Sequence, residues 1–270
     1  MTTSDKVRSV RRLTRKDRKF EDLLGRTVSL FQRGTQRRQL ETIQKKSQLI
    51  ASPEQPEENG FNQKAVIPFG LSTEHIYKSM MDFSDFMGFI DTELRSQEMA
   101  RFEDMLTAPN FNSMVREFMS TTIPKYCKTV MKNRQYNGHP DIVRAGMYSN
   151  DSIGDAGGNG IEVRASRYLK NWQGHPDEKS WLMIFVFQSG RLNPKVTEHV
   201  RFKFLLVAGG LLSKDDWLNA GYPEISRTVN TQTITRVGAQ KIMTNWIYKC
   251  KELRESRADF THNLLSNKQA

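Results

Sequence analysis

Seven consecutive residues, Trp181-Leu182-Met183-Ile184-Phe185-Val186-Phe187, are apolar without alternation. A strand with one wet face alternates apolar and polar side chains. A run that does not alternate is apolar on both faces and predicts a central strand of a sheet. It is far too short to cross a bilayer, which takes ~20 residues. Three further strands are expected around it, over 161–169, 199–207 and 226–237, with the central one at 180–188. In the third, Val200, Phe202, Phe204 and Leu206 alternate with Arg201 and Lys203, so one face starts wet. Gly190, Asn193 and Pro194 mark the hairpin that joins it to the central strand.

The preceding residues have helical spacing. Ser72 or Thr73 caps a segment with Ile76, Tyr77, Met80, Met81, Phe83, Phe86, Met87 and Ile90, which is expected to run towards Leu106 with Gly88 as its weak point. Shorter helices are predicted over 112–119 and 124–133, the second with Pro124 in its first turn. Ser213-Lys214-Asp215-Asp216 is a capping box before a short helix. Ala239, Ile242, Met243, Trp246, Ile247, Cys250 and Leu253 form one stripe, predicting a closing amphipathic helix with Trp246 buried against the sheet. The expected class is α+β: a basic helical N-terminal arm, a helical first half of the body, then an antiparallel sheet with a closing amphipathic helix. The domain reading is an arm over 1–46, a flexible linker over 47–66 rich in Pro, Glu and Gly, and a globular body over 67–270.

Charge is distributed very unevenly. The first 50 residues hold 14 Lys or Arg against five Asp or Glu, while the whole chain of 270 residues carries +11. A basic head on a near-neutral body is a polyanion-binding layout. On a helical wheel, Val10, Leu13, Phe20, Leu24, Val28 and Phe31 share one stripe. Arg8, Arg11, Arg12, Arg15, Lys16, Arg18, Lys19 and Arg26 lie opposite, and Arg33, Arg37, Arg38, Lys45 and Lys46 follow. Such a helix docks on phosphate backbones or anionic membranes. These thirteen cations are the candidate polyanion-binding residues. Lys125, Lys128, Lys132 and Arg134 form a second basic strip near Tyr126 and Tyr136, with the look of a cationic and aromatic groove for RNA and equally of a solvated face.

Catalytic signatures are absent. There is no Gly-x-Ser-x-Gly elbow, and the glycine-rich stretch 137–160, read as a surface loop, lacks a P-loop ending. Cys127 and Cys250 suggest neither a disulfide framework nor a zinc site, and point to a reducing compartment. No catalytic residues, metal or cofactor are assigned. Gly138-His139-Pro140-Asp141 recurs as Gly174-His175-Pro176-Asp177. The His-Pro-Asp triplet resembles that of J-domain co-chaperones over three residues, in a Gly/Pro context that suits a turn. A metal site from His139, Asp141, His175 and Asp177 lacks specific spacing. Tyr222-Pro223-Glu224-Ile225 loosely resembles the Tyr-Pro-x-Leu budding peptides of enveloped viruses.

The layout of cationic arm, Pro-containing linker and compact body resembles the matrix proteins of negative-strand RNA viruses, including those of plant rhabdoviruses. That resemblance implies a non-enzymatic virion assembly protein of host cytoplasm, nucleus and inner membrane face. It would bind RNA or ribonucleoprotein and an anionic membrane surface through the arm and self-associate as a homo-oligomer. The alternatives are a nucleocapsid protein encapsidating viral RNA and a cellular nucleic-acid-binding factor.

Overall fold

The computed structural model describes residues 52–154, 159–174, 181–190, 200–218 and 232–256. The basic arm and all thirteen of its assigned cations lie outside the described residues, as do His175, Asp177 and the Tyr222–Ile225 peptide. What is described is α+β, with helices leading and a mixed sheet following.

Helix α1, Thr73–Ser96, opens on a capping box in which the Ser72 amide donates to His75 Nδ1 at 3.1 Å. Ile76, Met80, Phe83 and Met87 recur every three or four residues and are fully buried. The helix passes through Gly88 and ends at Ser96. A short α2, Phe102–Met105, follows. Helix α3, Ala108–Tyr126, replaces the two short helices expected from the sequence. Its stripe of Phe111, Val115, Met119 and Ile123 is fully buried. Pro124 sits in its last turn, not its first, and the chain then extends into a strand.

Six strands form the main sheet, in the order β1 (Val130–Lys132), β2 (Ile142–Arg144), β3 (Gly160–Ser166), β5 (Trp181–Gln188), β6 (Lys203–Leu211) and β9 (Trp246–Lys249). The sheet is mixed rather than antiparallel, because β3 and β5 run parallel. A parallel pair needs a crossover, and here it carries β4 (Gln173–Gly174). With β7 (Trp217–Leu218) and β8 (Gln232–Ile234), β4 makes a second, three-stranded sheet.

Strand β5 is central, as its composition requires. Met183, Phe185 and Phe187 join the cluster built by α1 and α3, while Leu182, Ile184 and Val186 join a second cluster with Trp172, Trp217, Ile234, Ile242 and Met243. The alternation expected along β6 breaks at a bulge. Val186 pairs with Leu206 but Phe187 pairs with Phe204, so Leu205 is an extra residue. Phe202 and Phe204 therefore face the first cluster and Leu206 the second. Arg101 and Glu103 of the α2 region hold the two stems that follow β5 and precede β6: the Gly190 amide donates to Glu103 Oε1 at 3.3 Å and Arg101 donates to the Val200 carbonyl at 3.2 Å.

Two further expectations are corrected. The closing helix is divided into α4 (Arg236–Thr244), β9 and α5 (Lys251–Glu255). Asn245 ends α4 because its side-chain amide is committed elsewhere, donating to the carbonyls of Val66 and Gly209 at 2.9 and 2.8 Å. Trp246 is consequently a half-buried strand residue with Lys249 Nζ 4.8 Å from its ring centroid. The described part of the linker, from Ser52 to Val66, is packed on the body. The Glu54 amide donates to the Phe202 carbonyl at 2.8 Å, and the Asn62 amide to that of Ile247 at 2.9 Å. Phe61 is buried, with its ring 4.9 Å from Tyr248 and 5.4 Å from Tyr77. Pro and Glu composition signals the lack of a helix, not the lack of a dock. Phe61→Ala should lower the unfolding free energy by about 3 kcal/mol, since a buried aromatic is being truncated. Urea denaturation checks this, and a loss within about 0.5 kcal/mol, the ordinary surface value, would restore the linker reading.

Candidate functional site

The most concentrated buried charge among the described residues lies where β2 and β3 meet the C-terminal half of α3. The first Gly-His-Pro-Asp tetrapeptide supplies half of it. Its His139-Pro140 bond is cis, and Asp141 leads directly into β2. Asn133, buried, fixes the turn around it. Its side chain donates to the carbonyls of Pro140 and Ile153, each at 2.9 Å, and accepts from the amides of Gln135 and Ile153. A Cβ at Gly160 would clash with Pro140, so glycine is needed for the two segments to approach. The glycines at 138 and 160 thus serve close packing, and the stretch read as a loop contains the strand β2.

Strand β3 supplies the other half. Glu162 and Arg164 are two residues apart and project to the same face. Asp141 Oδ2 accepts from the Val163 amide at 2.9 Å, a carboxylate standing where a backbone carbonyl would sit in the ladder. His139 Nδ1 lies 3.2 Å from Glu162 Oε2, and Arg164 pairs with Glu162 through Oε1. Against an ionised carboxylate, Nδ1 carries the proton and Nε2 is turned away from Glu162. The Glu162 side chain is 1% exposed, that of His139 27%, so the histidine is the solvent-facing member.

The two carboxyls are unequal. Burial and the adjacent Glu162 charge push Asp141 up to about 7, while the charges of Arg116 and Arg164 and the Val163 hydrogen bond pull the other way. Burial also opposes ionisation of Glu162, yet the His139 hydrogen bond and the Arg164 charge hold it below the usual carboxylate range. Near neutrality Asp141 is therefore partly protonated while Glu162 stays ionised. Desolvation cancels most of what buried ion pairs contribute to stability. Strongly displaced carboxyls with specific charged neighbours are instead the mark of functional sites.

From this cluster a chain of charges leads outward along α3. Arg116 bonds Glu117 at 2.8 Å, and Glu117 bonds Lys132 of β1 at 2.9 Å. Lys132 lines a cavity of about 500 Å³ together with Thr121, Pro124, Lys125, Met131, Asn133 and Arg134. The second basic strip is thus split between a helix and a strand, and three of its four cations converge. Asn133 joins cavity and cluster, since its backbone amide donates to the Asp141 carbonyl at 2.8 Å.

Among the described residues no three His, Cys, Asp or Glu side chains converge into a metal-holding group, and no helix is long and apolar enough to cross a membrane. Cys127 and Cys250 are buried free thiols. No family model, curated protein or solved structure matches the chain. Composition and spacing missed Glu162 and Arg164, and pointed to His139 and Asp141 only as part of a repeated turn and of a metal set without specific spacing. The available signal was two opposite charges, two residues apart, in a strand whose neighbours Ile161, Val163 and Ala165 are apolar.

The folded Asp141 carboxyl titrates above its unfolded value of 3.8. Folding thus favours its protonated form: the contribution is whole below that value and is lost as pH rises towards 7. Asparagine keeps the acceptor for Val163 and cannot ionise. In chelator-containing buffer, Asp141→Asn should gain about 2–4 kcal/mol on wild type between about pH 4 and about pH 8. Glu103, also raised to about 7 by burial, is common to both proteins and cancels. Urea unfolding at the two pH values measures the gain, and a flat difference would show that the two carboxyls do not compete.

Proposed function

We propose that this chain is a nucleic-acid-directed phosphodiester hydrolase assisted by a divalent cation, with Asp141 and Glu162 as the cation-holding pair. The observation that carries this reading is the burial of two carboxyls, Asp141 and Glu162, at neighbouring strands, with His139 and Arg164 paired to Glu162. A proton supplies one positive charge to such a pair, whereas a divalent cation supplies two and displaces the proton on binding. With two carboxylates and no third protein ligand among the described residues, the fitting ion is a hard, hydrated one such as Mg²⁺. That ion is commonly held by one or two carboxylates, with water and substrate phosphate oxygens completing its shell.

The surrounding residues suit phosphate chemistry. Arg164 and Arg116 stay charged at all working pH values and match phosphate oxygens geometrically. His139 reaches solvent at the edge of the cluster. In the reaction a water oxygen bonds to phosphorus while the ester P–O bond breaks. The water proton passes to His139 Nε2, and the departing oxygen takes a proton from solvent. A divalent cation held by Asp141 and Glu162 would supply charge opposing that on the phosphoryl oxygens. The basic head, with nine of the chain's eleven units of net positive charge, would concentrate the polyanionic substrate.

That same charge asymmetry favours a second reading, the non-enzymatic one expected from sequence. In it a matrix-like assembly protein uses the arm to bridge RNA or ribonucleoprotein and an anionic membrane, and self-associates. A nucleocapsid protein is its variant and should purify with RNA in rings or filaments.

Incubating the full chain with labelled DNA and RNA and MgCl₂ or MnCl₂, against a chelator control, separates the readings. The first expects cation-dependent cleavage, lost at least about 100-fold in Asp141→Asn and Glu162→Gln with circular dichroism unchanged. No cleavage of any probe with either cation, with flotation on phosphatidylserine vesicles, would favour the assembly protein.

A further inference from the structure

We propose that the cavity between α3 and β1 is the track for an unpaired nucleic-acid strand, with Tyr136 as the platform on which one of its bases stacks. The proposal deepens the phosphodiester reading and rests on it for the path to the carboxyl pair, but its own evidence lies in the cavity. Lys125, Lys132 and Arg134 line it and no acidic side chain does. Lys128 stands exposed on the turn between α3 and β1. Its volume of about 500 Å³ lies within the range of sites that enclose a small molecule.

The cations differ in availability. Lys125 holds Asp82 at 2.8 Å and Lys132 holds Glu117 at 2.9 Å, and all four side chains are at least a quarter exposed. Exposed pairs of this kind are worth ~0–1 kcal/mol, so an incoming phosphate exchanges with Asp82 or Glu117 at little cost. Among the described residues neither Lys128 nor Arg134 has an acidic partner. The phosphate track therefore needs no rearrangement to begin.

The two tyrosines differ as well. Tyr126 is engaged: Lys125 Nζ lies 4.9 Å from its ring centroid, and its hydroxyl donates to Asp82 at 2.8 Å. Tyr136, two residues beyond Arg134, is 87% exposed. An aromatic ring left in water two residues along the chain from a lining arginine offers a stacking face, worth ~1–3 kcal/mol per base, to a strand that passes that arginine. Bases inside a duplex already stack on each other and do not reach it, so the occupant is an unpaired strand. Through Glu117, Lys132 of the track is linked to Arg116, whose charge acts on Asp141 and Glu162, and through Asn133 its wall touches the Asp141 backbone. A phosphate in the track thus lies next to the segment that carries Asp141.

Fluorescence anisotropy with a labelled oligonucleotide, single-stranded and as a duplex, tests this on the full chain in chelator, where nothing is cleaved. Tyr136→Ala should weaken single-strand binding about 10-fold and leave the duplex nearly unchanged. That loss should persist at high salt, where the contribution of the basic head has faded. Lys128→Gln with Arg134→Gln should lower the slope of log affinity against log salt by about one on the single strand. Unchanged affinity and slope in both variants would overturn the track. Loss of binding to phosphatidylserine vesicles, with oligonucleotide binding intact, would overturn it in favour of a membrane contact. The track and the hydrolysis reading fail separately. If these variants bind normally while Asp141→Asn abolishes cleavage, the track is wrong and the active site stands. If they lose binding while no probe is ever cleaved, the track stands and the active site is wrong.

Discussion

Everything in the described fold answers to one constraint, that β5 has no side that tolerates water. Its six inner side chains are divided three and three between two clusters, each fully or almost fully buried. At ~1.5–3 kcal/mol for each large apolar side chain, leaving either face open would sacrifice a sum comparable to the net stability of a whole domain. Two layers are therefore obligatory. The helices α1 and α3 make one, and α4 with the small sheet makes the other. The parallel entry of β5 beside β3 follows from the same demand, because the crossover between them brings Trp172 and β4 to the second face.

The sequence was most legible where pattern and burial coincide. The stripe of α1, the run of β5 and the capping box at Ser213 all describe what their own neighbours do. It was least legible where a distant group decides. Leu205 bulges because of its pairing with β5, and nothing local distinguishes it from Leu206. Asn245 ends a helix by bonding Val66, 179 residues away in the chain, so the apolar stripe on either side of it reads as continuous. Phe61 gave no periodic signal because its docking partners are Tyr77 and Tyr248. The candidate site belongs to this second kind. Half of it lies in a tetrapeptide that looks like a turn, half in a strand, and only the β2–β3 pairing brings Asp141 to Glu162. The helical first half and sheet-bearing second half were visible. The parallel pair, the divided closing helix and the site were not.

The charged cluster and the fold stand in tension. A sheet this apolar has little need of two carboxyls, two arginines and a histidine at one corner. Placing Asp141 in the ladder close to the Glu162 charge raises the free energy of its ionised form and favours the protonated one. That residual demand for positive charge separates the cluster from an ordinary ion pair. It also couples the site to pH and to any cation that can stand in for the proton.

Sheet edges are where proteins of this class most easily stick to copies of themselves. On one side Phe61 and Asn62 lie along β9, and Asn62 donates to the carbonyls of Trp246 and Ile247. On the other, β1 is three residues long and ends in Lys132, whose charge is held close to Glu117. Neither border offers a long run of open backbone groups to a second sheet. The segment before α1 therefore acts as a seal along β9: among the described residues it ties up, within one molecule, backbone groups that a second sheet could otherwise take.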